Sequence, residues 1–316
     1  MTVNTWLRER ASRVDLQSRP RVGLALSGGG ARGLAHIGVL KVLERKGIAV
    51  DLLAGTSIGG VIAAGYAAGM RPDELEAKAL ETGRPRRLLR LADPGLPRRS
   101  LLKGRHILAY LEGLLGGATF ADLSRPLALV TVDLNNGQEI ILRDGPLALA
   151  VRATVSIPGL LAPVDWNGCR LVDGGLLNNL PVDVARGMGA DVVIAVDVTS
   201  NYQDTISFWQ SMRERRFVPD ALIHWATTFN DAFGVMMAAL QEQKLRQSPP
   251  DLFIRPAMSP EITMLTGYGQ ATDVVAAGEA AAKAALPQIR ELIRPPSALA
   301  DVCPKGLLLS GDTSNL

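Results

Sequence analysis

From residue 21 onward, short apolar runs alternate with stretches whose apolar residues recur with a helical period. Arg21-Val-Gly-Leu-Ala-Leu-Ser27 is a compact apolar run that ends in glycines, the pattern of a buried strand. In Gly33–Gly47, Leu34, Ile37, Leu40 and Leu43 line one face, which predicts a helix closed by Gly47. Val50–Ala54 reads as the next strand and Ile58–Gly69, rich in Ala and Gly, as the helix after it. Pro72-Asp-Glu-Leu-Glu opens another helix, with acids in its first turn. Residues 83–105 break the alternation with prolines and basic residues, and predict an irregular surface excursion. Leu127–Asp133 and Glu139–Leu142 form a predicted hairpin across Asn135-Asn-Gly137. Arg170–Val172 is a brief strand before Asp173-Gly-Gly175, and Pro181–Gly187 is a helix with proline near its start. Asp191–Val198 is a strand apolar enough to be central. Residues 221–240 form a helix with the stripe Leu222, Trp225, Phe229, Phe233, Met236 and Leu240, and Ala271–Ile293 is the last helix. Strands alternating with helices predict an α/β fold, a mostly parallel central sheet sandwiched between helices. The predicted domain runs from 20 to 294, between a polar arm (1–19) and a loose tail (295–316).

Composition narrows the function classes. With 316 residues the chain is long enough to cover both faces of a sheet. Apolar residues at 47% and charged residues at 21% exclude a mostly disordered chain. Cys169 and Cys303 are too few and too far apart for a disulfide scaffold or a thiolate metal site. His36, His106 and His224 share no close spacing, which argues against a clustered zinc site, and no cofactor is expected. A net charge of +3 and 4% aromatics do not describe a nucleic-acid binder. The N-terminal residues lack the apolar core of a secretory signal, which predicts a cytoplasmic protein able to visit membrane surfaces. Leu52–Met70 runs 19 residues without a charge, the length of a membrane span. Its five glycines, with Thr56 and Ser57 near one end, read instead as strand, tight turn and helix.

Two glycine motifs carry candidate chemistry. Gly28-Gly-Gly-Ala-Arg-Gly33 lies between a strand and a helix. A dinucleotide site would need an acid at the far end of the next strand, whereas Asp51 stands at its beginning and the far end is Gly55-Thr-Ser57. The same bare N–H groups and helix N-terminus suit a phosphate or a developing oxyanion. Gly55-Thr-Ser-Ile-Gly59 is a G-x-S-x-G on a strand-to-helix turn. A serine on so sharp an elbow crowds its neighbours, and glycines relieve the crowding. The elbow lifts the Ser57 hydroxyl out at the carboxyl end of the sheet; the other reading is a glycine-rich turn with a capping serine. A serine nucleophile needs a base. None of the three histidines has a motif around it, and His36 reads as a structural contact. Asp173 ends a short strand and is followed by glycines that let the chain turn and expose its carboxylate. The alternative for Asp173 is an Asx-turn that caps the next segment.

In these motifs the chain resembles the patatin-like phospholipases, whose pattern is G-G-G-x-R-G, G-x-S-x-G and D-G-G or D-G-A in that order. Gly28–Gly33, Gly55–Gly59 and Asp173–Gly175 match it, as do the pieces His36-Ile-Gly-Val-Leu40, Ser156-Ile-Pro158 and Asn178-Asn-Leu-Pro181. The resemblance covers roughly residues 20–200 and is loose beyond them. It implies a patatin-like fold and a Ser57–Asp173 dyad without histidine. It also implies an oxyanion loop in which the N–H groups of Gly28, Gly29 and Gly30 hold the oxyanion, with Arg32 beside them. The implied activity is hydrolysis of lipid acyl esters, on phospholipids or lysophospholipids. A carboxylesterase or thioesterase on smaller acyl groups, or a silent anion-binding regulator, are the alternatives. Arg32 is placed to oppose a rise in the Asp173 pKa or to meet a lipid phosphate.

Arg84, Arg86, Arg87, Arg90, Arg98, Arg99, Lys103 and Arg105 crowd the 83–105 excursion against a single acid, Asp93, with leucines interleaved. That suits peripheral contact with an anionic membrane, or equally a solvated cap with its leucines tucked inward. The 221–240 stripe has two readings, core packing and the lining or lid of an acyl channel.

Overall fold

The computed structural model describes residues 19–94, 100–199, 220–259, 262 and 267–295, with the side chains of 85 and 220–233 excepted. The arm before residue 19, the tail beyond 295 and the side chains of Leu222, His224, Trp225, Phe229 and Phe233 therefore lie outside the described residues.

Among the described residues the strands form a single mixed sheet. Strand β1 (Val22–Leu26) is followed by helix α1 (Ala35–Arg45), strand β2 (Leu52–Thr56), helix α2 (Ile58–Ala67) and helix α3 (Pro72–Thr82). Helices α4 (Pro85–Leu91) and α5 (Arg105–Leu115) precede the hairpin of β3 (Leu127–Asp133) and β4 (Gln138–Leu142). Helix α6 (Leu147–Thr154) leads to a second hairpin, β5 (Val164–Trp166) and β6 (Cys169–Asp173). Helix α7 (Val182–Gly187), β7 (Val192–Val196), α8 (Asp220–Gln247), β8 (Leu252–Ile254) and α9 (Ala271–Leu292) complete the described chain.

β1, β2, β3, β7 and β8 run parallel, and β1 lies between β2 and β7. Their residues are apolar on both faces because helices cover both. Leu24, Leu26, Leu53, Leu129 and Ile194 face a core shared with α1, α2, α6 and α9. Ala25, Leu52, Ala54, Val130 and Val193 face a smaller core shared with α7 and Leu245 of α8. The last helix is tied closely to the first. A β-carbon on Gly278 would meet the Ala35 carbonyl, and one on Gly38 would meet the Val275 carbonyl.

Three readings change. β2 runs Leu52–Thr56 rather than Val50–Ala54, because pairing with β1 and β3 continues through Gly55 and Thr56 to the elbow itself. The 83–105 excursion is not wholly irregular: Pro85 opens α4, where a proline supports a helix rather than breaking it. Residues 95–99, with Arg98 and Arg99, lie outside the described residues. Helices α5 and α6 also formed where no helix was read; α6 is apolar nearly throughout, so it shows little periodic contrast.

The second hairpin does the placing. β4 occupies one edge of β3 along Leu129–Asp133. On the other edge, β2 pairs with Leu127–Val130 and β6 pairs with Leu171–Asp173 opposite Thr131–Asp133. β2 and β6 therefore share that edge and run toward each other. Their carboxyl ends meet opposite the adjacent residues Val130 and Thr131, about 3.3 Å apart along a strand.

Candidate active site

Ser57 follows the last residue of β2, and Asp173 is the last residue of β6. Ser57 has φ +54° and ψ −128°, a backbone conformation that residues with side chains seldom adopt. The glycines of the elbow explain how the chain holds it. A β-carbon on Gly55 would stand 2.7 Å from Gly60, and one on Gly59 would meet the Leu26 carbonyl of β1. One glycine lets the turn fold onto its own helix and the other lets that helix lie against the neighbouring strand. The Ser57 N–H donates to Thr154 Oγ1 at 2.9 Å, and Thr154 Oγ1 donates to the Val130 carbonyl at 2.6 Å. Thr56 Oγ1 donates to the Asn178 carbonyl at 2.8 Å, which fastens the other side of the elbow.

The Ser57 hydroxyl donates to Asp173 Oδ2 at 2.6 Å. Asp173 Oδ1 accepts the Gly175 N–H at 2.8 Å. One oxygen thus meets the serine, and the other closes an Asx-turn with the N–H two residues on. Its own N–H donates to the Ser156 carbonyl at 3.0 Å. Burial pushes the Asp173 carboxyl up to about 6; the hydrogen bonds from Ser57 and Gly175 oppose the rise without cancelling it.

The glycine loop closes over the same place. Gly30–Leu34 forms a tight helical turn that leads into α1. The Gly28 N–H donates to the Asn179 carbonyl at 3.1 Å, so it is spent on tying the loop down rather than held ready for an oxyanion. Among the described residues no protein acceptor meets the N–H groups of Gly29 and Gly30. Arg32 is buried beneath the loop, with Nε donating to the Val198 carbonyl at 2.9 Å and an Nη atom to the Ile262 carbonyl at 3.1 Å. At 5% exposure it presents no open face to a lipid phosphate, and the pKa rise at Asp173 is opposed by Ser57 and Gly175 rather than by this cation.

Neither of the two described histidines bonds the Ser57 hydroxyl. His36 is fully buried, its Nε2 is 2.9 Å from the Ser27 carbonyl, and its Nδ1 meets no partner. Burial lowers its pKa to about 4, against the pull of the Ser27 carbonyl and Asp197, so the ring is neutral. His106 is exposed on α5. Asp51 sits at the opposite end of β2 from the glycine loop, where its carboxylate accepts the Val22 N–H and pairs with Arg19 at 2.6 Å. That is no place for a ribose contact. Among the described residues no group of His, Cys, Asp and Glu is placed to hold a metal ion.

Four supporting residues escaped the sequence reading. Thr154 and Arg152 lie on helix α6, whose sequence shows little periodic contrast, while Ser156 and Asn179 belong to the short Ser156-Ile-Pro158 and Asn178-Asn-Leu-Pro181 pieces, whose sequence alone assigns them no role. Arg152, 3% exposed, donates to Ser156 Oγ at 2.5 Å and to the carbonyls of Gly104, Lys103 and Ala162. Asn179 Nδ2 reaches Gln241 of α8 at 3.3 Å, while Lys244 of α8 pairs with Glu139 and Asp183.

The family model described as patatin-like phospholipase matches residues 24–186. An uncharacterized NTE family protein of Mycobacterium tuberculosis is 40% identical over 193 residues, 60% of this chain and 52% of that protein. Patatin-like phospholipase domain-containing protein 6 of Mus musculus is 38% identical over 207 residues, 61% of this chain and 15% of that one. This chain thus spans about half the length of the mycobacterial relative and a small part of the mouse protein. Among solved structures, VipD from Legionella pneumophila shares the fold with a TM-score of 0.53 at 15% identity, covering 85% of this chain and 67% of that one.

Proposed function

The chain belongs to the patatin-like phospholipase family, and on that premise we propose that it is a serine lipid acyl hydrolase with Ser57 as nucleophile and Asp173 as base. The observation that carries the reading is the 2.6 Å hydrogen bond between them, made at a strained elbow by a carboxyl whose pKa has been brought up to about 6. An ordinary aspartate, near 3.9, is a poor proton acceptor at neutral pH; one near 6 is still ionised there and a better base.

In the proposed reaction Asp173 takes the hydroxyl proton as Ser57 Oγ attacks the ester carbonyl. The N–H groups of Gly29 and Gly30 receive the oxyanion, each worth about 3 kcal/mol if preorganised. The alcohol leaves with the proton from Asp173, and an acyl-serine remains. Water then gives its proton to Asp173 and attacks the acyl carbon; Ser57 recovers a proton as the fatty acid departs. Gly28 and Arg32 act by fastening the loop, one to Asn179 and the other to Val198 and Ile262. The substrates are phospholipids or lysophospholipids, reached by peripheral contact; among the described residues no helix is long and apolar enough to cross a membrane.

Labelling with a fluorophosphonate tests the nucleophile. Wild type should react and Ser57→Ala should not; a wild type that stays unlabelled supports the silent regulator. A series of soluble p-nitrophenyl esters tests the lipid. Each buried methylene is worth about 0.8 kcal/mol, so kcat/KM should rise on the order of tenfold from four to eight acyl carbons. A maximum at two or four carbons supports a small-molecule esterase.

A further inference from the structure

The 83–105 segment carries an arrangement that its sequence left open. Its leucines are not all tucked inward. Leu89 on α4 is 74% exposed and Leu101 is 64% exposed, the two most exposed large apolar side chains among the described residues. Arg84, Arg86, Arg87, Arg90, Lys103 and Arg105 are exposed in the same segment. Glu81 pairs with Arg87 at 2.7 Å. The one acid within the segment, Asp93, is buried and turned away, with its oxygens accepting the N–H groups of Gly104 and Arg105 at 2.7 Å each.

This face is built into the catalytic end of the sheet. The Leu101 N–H donates to Gly159 at 3.1 Å, the Leu102 N–H to Leu160 at 2.9 Å, and the Ala162 N–H returns to Leu102 at 3.0 Å. Leu160 lies four residues, at most ~14 Å of chain, from Ser156, whose carbonyl receives the Asp173 N–H. Arg152 bolts the two together by bonding Lys103 and Gly104 on one side and Ser156 on the other. The segment is thus tied down beside the active site, with apolar tips and, Arg87 apart, cations that pair with no acid among the described residues.

We propose that α4 and the Leu101 turn form a membrane-docking face that seats the catalytic end of the sheet on an anionic lipid surface. The proposal rests on the lipid hydrolase reading for its purpose, and on charge and exposure for its place. Leucines enter the boundary between headgroups and acyl chains, while the arginines remain at the anionic headgroups. Each basic residue near such a surface strengthens binding about fivefold, and salt weakens it.

Sedimentation with vesicles tests it, in a Ser57→Ala background so that the lipid stays intact. The parent should bind phosphatidylglycerol-containing vesicles more tightly than pure phosphatidylcholine ones. Leu89→Ser with Leu101→Ser should weaken that binding about tenfold. Arg86→Glu with Arg90→Glu should weaken it about tenfold or more and erase the anionic preference. All these side chains are exposed, so melting temperatures should stay where they were. Variants that sediment like the parent, or a parent that ignores lipid charge, overturn the proposal. Vesicle docking by a wild type that cleaves no ester leaves the face standing and removes the hydrolase reading; ester cleavage without docking to anionic vesicles does the reverse.

Discussion

Two buried aspartates stand at opposite ends of the hydrogen-bonded path through Arg152, and they hold protons in opposite ways. Asp173 and Asp93 are each 7% exposed. For both, burial is the largest influence and favours the neutral acid. At Asp173, on the sheet edge in the interior, one main-chain N–H and one hydroxyl are too few to overcome it. At Asp93, in the outer layer, the N–H groups of Gly104, Arg105 and His106 gather at the start of α5 and hold the carboxyl below the usual range. Deeper burial at Asp173 and the richer supply of main-chain donors at Asp93 together separate a group able to exchange a proton near neutral pH from a structural anchor.

The sharpest way to break the comparison is Asp173→Asn. The hydroxyl loses its proton acceptor, so kcat should fall about a thousandfold while the protein stays folded. A folded Asp173→Asn enzyme with near-normal kcat would remove Asp173 from the mechanism. In wild type, kcat/KM should climb with pH to a plateau above an apparent pKa of about 6.

The same exchange has a stability signature next in size. The folded-state pKa of Asp173 lies above its unfolded value, so the folded protein holds the proton longer. Stability is then fully present below about pH 4 and is lost as pH rises through about 6, by roughly 3 kcal/mol. Asp173→Asn removes that slope. Urea denaturation should show the variant level with wild type at pH 4 and more stable at pH 8; a difference independent of pH counts against the buried, proton-holding carboxyl.

Asp93 should behave in the opposite sense. Asp93→Ala strips the acceptor from the first turn of α5 and should cost about 2 kcal/mol at pH 7, read as a lower urea midpoint. Because its pKa is lowered, the contribution of Asp93 is present above about pH 4 and disappears as pH falls below it. Asp93→Ala that matches wild type at neutral pH would mean that the N–H groups find other partners. The smallest effect is expected for His106→Ala, which removes an exposed ring and keeps the main-chain donor. It should change stability by under about 0.5 kcal/mol and leave kcat within about twofold. A dead His106→Ala enzyme would instead return a histidine to the chemistry.

Much of this was legible in the chain. The apolar runs of β1, β3 and β7 and the helical stripe of α1 announce themselves because both faces of a central parallel strand, or one face of a helix, must be apolar. Gly55, Ser57 and Gly59 were legible because an elbow of that kind tolerates few side chains. α6 was not, although Thr154 and Arg152 both lie on it. Nor was the commitment of the Gly28 N–H to Asn179, since no local pattern says which carbonyl, some 150 residues away, will arrive beside it.

By itself the sequence determined which groups are available: a serine on a strained turn, a carboxylate at a strand end, bare glycine N–H groups, and leucines among arginines. Those choices are local, made by backbone sterics and by the period of the apolar residues. Tertiary structure alone decided their relations. It brought β2 and β6 end to end on one edge of β3, so that Ser57 and Asp173, 116 residues apart in the chain, meet. It also set the burial that leaves Asp173 near 6 and gathered the N–H donors that hold Asp93 low. Proximity and proton affinity depend on which distant segments share an edge or a buried space, and pairing across the sheet sets that only when the whole chain has folded.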